Sequence, residues 1–216
     1  MTTFAGPKLV RGGLVQLDPE SARVERVIPL QYNPETLSRS FQVQSVEGQG
    51  GDRSQPLRLK GPPVETLRVE AEIDATDGLE AADPAAEELG VLPQLAALEA
   101  LVYPTSGQLL EADALARSGT LQIAPMEAPL TLFVWGERRV LPVRVTELSV
   151  TEEAFGRGLQ PIRAKVSLGL RVLSVDDLGF RHKGGELFMV HLQAKEQLAR
   201  RAPGGALAAL GIGGIP

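Results

Sequence analysis

The segment from Ile162 to Val172, IRAKVSLGLRV, places an apolar residue or alanine at every even position and Arg163, Lys165, Ser167, Gly169 and Arg171 at the odd ones. Successive side chains of a strand point to opposite faces, whereas apolar residues on one helix face recur every three or four positions. Unbroken alternation of this length therefore specifies a long strand with one face that needs a core and one face that is basic. The basic face calls for an explanation, because the 216-residue chain carries a formal net charge of −5. Non-specific wrapping of nucleic acid draws on a surplus of Lys and Arg, which this composition lacks. The chain has no cysteine, which excludes a disulfide framework, a thiol nucleophile and cysteine-ligated zinc, and which fits a reducing cytoplasm. A hydrophobic content of 43% suits one globular domain with a tail.

The first half reads as strands between turn signals. LVRGGLVQLD breaks at Gly12 and Gly13, and VERVIPLQYN alternates at Ile28, Leu30 and Tyr32 before Asn33 and Pro34 end it. LSRSFQVQ puts Leu37, Phe41 and Val43 opposite a polar face, and the glycine-rich VEGQGGDRSQP that follows reads as a loop. ETLRVEAEIDATD alternates Leu67, Val69, Ala71 and Ile73 against Arg68, Glu70, Glu72 and Asp74, so its exposed face is mainly acidic. The period then changes. Asp83 and Pro84, with Glu87 and Glu88 in the first turn, mark a helix start, and Pro93 to Val102 reads as a second helix with Leu95, Leu98 and Val102 on one face.

Strands return at LTLFVWG. In RRVLPVRVTELSVTEEAF the apolar phase is odd at Leu141, Val143 and Val145 but even at Leu148 and Val150, which predicts a bulge near Glu147. GELFMVHLQAKEQLARR places Leu187, Val190, Ala194 and Leu198 at helical spacing and stops before Gly204 and Gly205. About seven strands, two short helices within the β run and one helix after it define a β-rich α+β fold.

Signals for chemistry are few. His182 and His191 stand in no ligand pattern and read as an exposed loop histidine and a helix-surface histidine. EGQGGD lacks the lysine of a phosphate-binding loop, and DATDGLEAADPAAEE lacks the order of an EF-hand, so a flexible loop and helix-start acids explain them better. Trp135 reads either as a core tryptophan at a strand end or as a partner-facing anchor. The start MTTFAGPKLVRGGL has no export pattern, and no apolar run is long enough to span a bilayer, so neither Sec export nor membrane insertion is expected. No catalytic, cofactor-binding or metal-ligating set is expected. The basic positions Arg163, Lys165 and Arg171 are either the solvated side of a surface strand or, with Glu70, Glu72 and Asp74, a subunit or ring interface in which opposite charges set register.

Several pieces together resemble the tube-type domain of contractile injection system proteins, from particles in which a sheath drives an inner tube through an envelope. They are PLQYNPETLSRSFQVQ with Tyr32, Asn33 and Pro34; the strand ending in Asp74 and Thr76; Phe133, Trp135 and Gly136; and Gly158, Pro161, Arg163 and Ala164 before the last long strand. The matching region runs from about Val10 to Leu178. The resemblance implies a barrel-like or sandwich-like β domain over residues 1–178, with flanking short helices, and a C-terminal helix with a small-residue tail over 179–216. It also implies a homo-hexameric ring that adapts the baseplate hub and spike to the inner tube, with other baseplate subunits as partners, assembled in the cytoplasm before it joins the particle. Hub members often carry a LysM module after this domain. The remaining chain is too short for one plus a linker, so that function is not carried over. The alternatives are the inner tube subunit itself and a peptidoglycan- or carbohydrate-binding module.

Overall fold

The computed structural model describes residues 9–18, 21–45, 58–118 and 128–215. The glycine-rich loop predicted after Gln44 lies outside them. Seven strands form one antiparallel sheet: β1 (Gly13–Leu17), β2 (Val24–Pro29), β3 (Leu37–Gln42), β4 (Val64–Asp74), β5 (Leu130–Val134), β6 (Val140–Phe155) and β7 (Pro161–Val172), in the spatial order β2-β1-β5-β6-β7-β4-β3. The β-rich α+β class and the strand count match the sequence reading. The sheet is open, with β2 and β3 as its edges, and is not closed into a barrel.

The long alternating segments are the interior of this sheet. β7 lies between β4 and β6, with Asp74 opposite Arg163 on one side and Glu153 opposite Arg163 on the other. Its even positions Ala164, Val166, Leu168 and Leu170 are almost fully buried. So are Leu67, Val69, Ala71 and Ile73 of β4. Burying a leucine or valine in this way contributes roughly 2 kcal/mol each, which makes the strand phase hard to shift. The phase slip read from the sequence is real: the β6–β7 register shifts between Val145 and Glu147.

The sheet curls. Leu14 of β1 and Ile28 of β2 share one core with the inward side chains of β4 and β7 and with Leu95 and Leu98 of a helix. Gln31, just past β2, ties the two ends of the curl together. Its Nε2 donates to the Asp74 carbonyl at 2.8 Å, and its Oε1 accepts from the Asp74 N–H at 2.8 Å. One side chain thus stands in for a rung of sheet where the strands no longer meet.

Among the described residues four helices separate β4 from β5: α1 (Thr76–Glu80), α2 (Pro84–Leu89), α3 (Leu92–Glu99) and α4 (Ser106–Arg117). The expected cap is present, with Asp83 accepting from the Ala85 N–H and Pro84 at the first helical position. The sequence reading found α2 and α3 but not α1 or α4. A hairpin tip anchors this block. The Val91 N–H donates to the Pro161 carbonyl at 2.9 Å, and Gln160 Nε2 donates to the Glu87 carbonyl at 2.7 Å. Gly90 has φ +56 and sits so close that an added Cβ would lie 2.1 Å from that Pro161 oxygen, so only glycine fits.

After β7 come α5 (Val175–Leu178), α6 (Lys183–Arg200) and a terminal 3-10 turn at Leu207–Leu210. The predicted face of α6 needs correction. Gly184, Gly185, Phe188 and His191 are its buried residues, while Val190 and Leu198 are exposed. Two glycines win over larger side chains because the helix N-terminus crosses the preceding turn. A Cβ on Gly185 would lie 2.0 Å from the Gly179 carbonyl oxygen.

Candidate functional site

The outward face of β4, β7 and β6 brings together all six charged residues singled out in the sequence. Reading across the strands, Asp74 faces Arg163 and then Glu153; Glu72 faces Lys165 and then Thr151; Glu70 faces Ser167 and then Ser149. Further along, Arg68 faces Gly169 and then Glu147, and Thr66 faces Arg171 and then Arg144. Five cations, Arg68, Arg144, Arg163, Lys165 and Arg171, therefore share the face with five carboxylates, Glu70, Glu72, Asp74, Glu147 and Glu153. The face is charge-balanced, which answers the question its basic strand raised.

Part of the balance is struck by direct pairs. Arg163 Nε meets Asp74 Oδ2 at 2.8 Å and Lys165 Nζ meets Glu153 Oε1 at 3.0 Å, whereas Arg171 Nη2 meets a carboxylate from outside the three strands, Asp177 Oδ1 of α5, at 2.6 Å. Asp74 also accepts from the Thr76 N–H at 2.7 Å and from the Thr76 hydroxyl. The Thr76 bonds, helped by Arg163, hold its carboxyl below the ordinary value. Lys165 is raised by its bond to Glu153, and Arg163 by its bond to Asp74. Glu70 and Glu72 stand exposed and, with Lys165, Ser149, Thr151 and Tyr32, line a shallow groove of about 490 Å³. Such a face presents fixed, hydrated charges and hydroxyls.

The other residues singled out are structural joints. Asn33 Oδ1 accepts from the Gly12 N–H at 2.8 Å, and its Nδ2 donates to the Val10 carbonyl at 2.8 Å, pinning the chain before β1 to the turn after β2. Tyr32 and Pro34 border the groove on the outward face. Trp135 is half-buried and stacks on the core residue Phe133, with ring centroids 5.8 Å apart. A Cβ on Gly12 would lie 2.4 Å from its indole, so these two positions are chosen together. Gly136, at φ +74, turns the chain behind it. Pro161 is buried at the start of β7 and offers the carbonyl that anchors the helical block.

A second charged cluster was missed. Glu65 of β4 is 4% exposed and meets Arg39 Nη2 of β3 at 2.6 Å and Lys195 Nζ of α6 at 3.1 Å. Both cations also lie over the Phe41 ring, at 5.0 and 5.3 Å from its centroid. The signal was available: Glu65 shares the odd, inward phase of Leu67 and Val69. His191 corrects the helix-surface reading, since it is buried. Burial first, and then Lys195, lowers its pKa, while the Glu65 carboxylate and the Arg138 backbone pull the other way. His182 caps α6, its Nδ1 accepting from the Gly184 N–H at 3.0 Å. Among the described residues no group of three or more potential ligands could hold a metal, and no helix is long and apolar enough to cross a membrane.

Comparison with known families places this fold: residues 15–177 match the contractile injection system tube proteins, and the chain belongs to that family. It is a structural, tube-type subunit of such a system. Among solved structures it is similar to a chain of the virion of a native gene transfer agent particle, at 14% identity, covering 74% of this chain and 90% of that one with a TM-score of 0.26. A chain from the tail of an empty particle of that kind, computed with helical refinement in C6 symmetry, is similar at 15% identity over the same shares, with a TM-score of 0.28. No curated protein gives a significant match.

Proposed function

We propose that the chain is a non-enzymatic ring subunit, six copies of which close around a lumen and join the baseplate hub and spike to the inner tube, starting its assembly. Membership in the tube family over residues 15–177 is the observation that carries this reading. It is supported by a sheet whose edge strands β2 and β3 each pair on one side only among the described residues. Unpaired edges of this kind are assembly-competent and are hazardous if left open. On this reading Glu70, Glu72, Asp74, Arg163, Lys165 and Arg171 line the lumen or meet an adjacent ring. Residues 1–178 form the ring domain, and residues 179–216 supply a peripheral contact to a baseplate neighbour. Assembly takes place in the cytoplasm, without nucleic acid and without membrane insertion, and the ring then becomes part of a phage-tail-like particle.

The family's description as a tube protein favours one second reading, the inner tube subunit itself. Copy number against sheath in purified particles separates the two. Six copies per particle support the adaptor, and a large multiple of six supports the tube. Absence from every particle would overturn both.

A further inference from the structure

The polar cluster between α6 and the sheet carries more positive charge than negative, and it includes a histidine. Glu65 of β4 is shared between Arg39 of β3 at 2.6 Å and Lys195 of α6 at 3.1 Å. His191, 8% exposed, stands one helical turn before Lys195, so both side chains lie on the face of α6 turned to the sheet. The main chain of Arg138, in the turn between β5 and β6, is a further polar neighbour of the ring. While the imidazole is neutral, one carboxylate answers two cations. A proton on His191 adds a third positive charge, and the charges that bear on the ring are Lys195, Glu65 and Arg39, with a single carboxylate among them. Cations crowded in a buried site without enough partners are relieved by moving into water.

Little else holds this half of the helix. The apolar contacts of α6 come from Leu187, Phe188, Met189 and Leu192, all towards its N-terminal end. Beyond them Ala194 and Lys195 are half-buried, and every residue from Glu196 to Arg200 is exposed. The strands have their own support: β7 keeps β4 and β6 as hydrogen-bonded neighbours whichever way the helix lies.

We propose that α6 is an acid-released latch: a proton on His191 frees the helix from the sheet, from that residue to its C-terminal end, while the strands stay paired. Release delivers His191 and Lys195 to water and uncovers the Phe41 ring, whose centroid lies 5.3 Å from Lys195 Nζ. Burial and Lys195 hold the docked ring below 6.5, so the released ring is the stronger base. Docking is therefore complete above that pH and weakens as pH falls below it. The latch is a property of one chain and does not depend on the ring reading above.

Hydrogen exchange on the full chain, corrected for intrinsic rates, tests this at about pH 7.5 and about pH 5.5, above the ordinary carboxylate range. Amides from His191 to Arg200 should lose protection by up to about tenfold per pH unit below 6.5, while those of β7 keep theirs. In His191→Gln the acid-dependent part of that loss should vanish, whatever the variant's protection at neutral pH. The imidazole signal of native His191, with His182 as the one other histidine, should titrate together with the loss. Equal acid loss in His191→Gln would overturn the proposal. So would His191 protonating while α6 keeps its protection, or α6 and β7 losing protection together, which is global unfolding.

Discussion

β4 carries charge on both faces, and the two faces obey different physics. Inward, Glu65 is buried and its two cations come from β3 and from α6, the latter 130 residues away. Outward, Asp74 meets Arg163 and Lys165 meets Glu153 across neighbouring strands, with the cations about half exposed. Coulomb attraction at the same distance is several times stronger at the effective dielectric of a protein interior than in water, and desolvation raises the cost of losing a partner in proportion. The inner cluster therefore holds the C-terminal helix to the sheet. The outer pairs make a wide sheet face soluble and charge-neutral without contributing much to its stability.

Removing the buried carboxylate should break this contrast most sharply. Glu65→Ala leaves Arg39 and Lys195 facing each other near Phe41 and should cost about 3 kcal/mol, read as a lower midpoint of urea unfolding with early loss of protection in α6 amides. A midpoint equal to that of the native chain would mean the cluster is no latch.

Acidification tests the same region. His191 has a folded pKa below 6.5, so the unfolded chain binds the proton more tightly. Stability is full above pH 6.5 and falls as pH drops from there towards the folded value. His191→Leu should flatten the stability profile below pH 6.5, whereas an unchanged slope would assign that loss to other groups.

The outer face should respond less. Asp74→Asn loses the charge on the acceptor shared by Thr76 and Arg163 and should cost about 1 kcal/mol. Because the folded pKa of Asp74 is lowered from 3.8, its contribution is present above that value and is lost only as pH falls through the lower folded one. The native chain and the variant should therefore converge only in strong acid. Smallest of all, Lys165→Gln should leave the thermal midpoint within error at physiological salt, since its pair with Glu153 is half exposed and screened. A clear loss there would move Lys165 from the outer class to the inner one.

Much of this was readable in the residues. The alternation at 162–172 and 67–74 named two interior strands and their faces, the phase change around Glu147 named the bulge, and Asp83 with Pro84 named a helix start. Glu65 was equally readable and was passed over, because an acidic residue at the start of an alternating run looks like part of its flank. α4 escaped because its leucines lie on more than one side of the helix, which blurs the periodicity that reports a buried stripe. His191 was assigned to the surface because the apolar residues of α6 suggested a different face, and the two glycines that set the real one carry no hydrophobic signal.

What the amino-acid order determined alone was the period of each element, since side-chain direction along a strand or helix follows from local backbone geometry. It also carried the family resemblance, through turns such as Tyr32–Pro34 and joints such as Trp135. Only the tertiary structure decided which charges pair, that the sheet stays open, that Gln31 bridges the curl to Asp74, and which face of α6 is buried. Those outcomes depend on register and close approach between segments, up to 130 residues apart for Glu65 and Lys195 and 43 apart for Gln31 and Asp74. Local pattern holds no information at that range, because the energies that settle it arise only once distant segments exclude water between them.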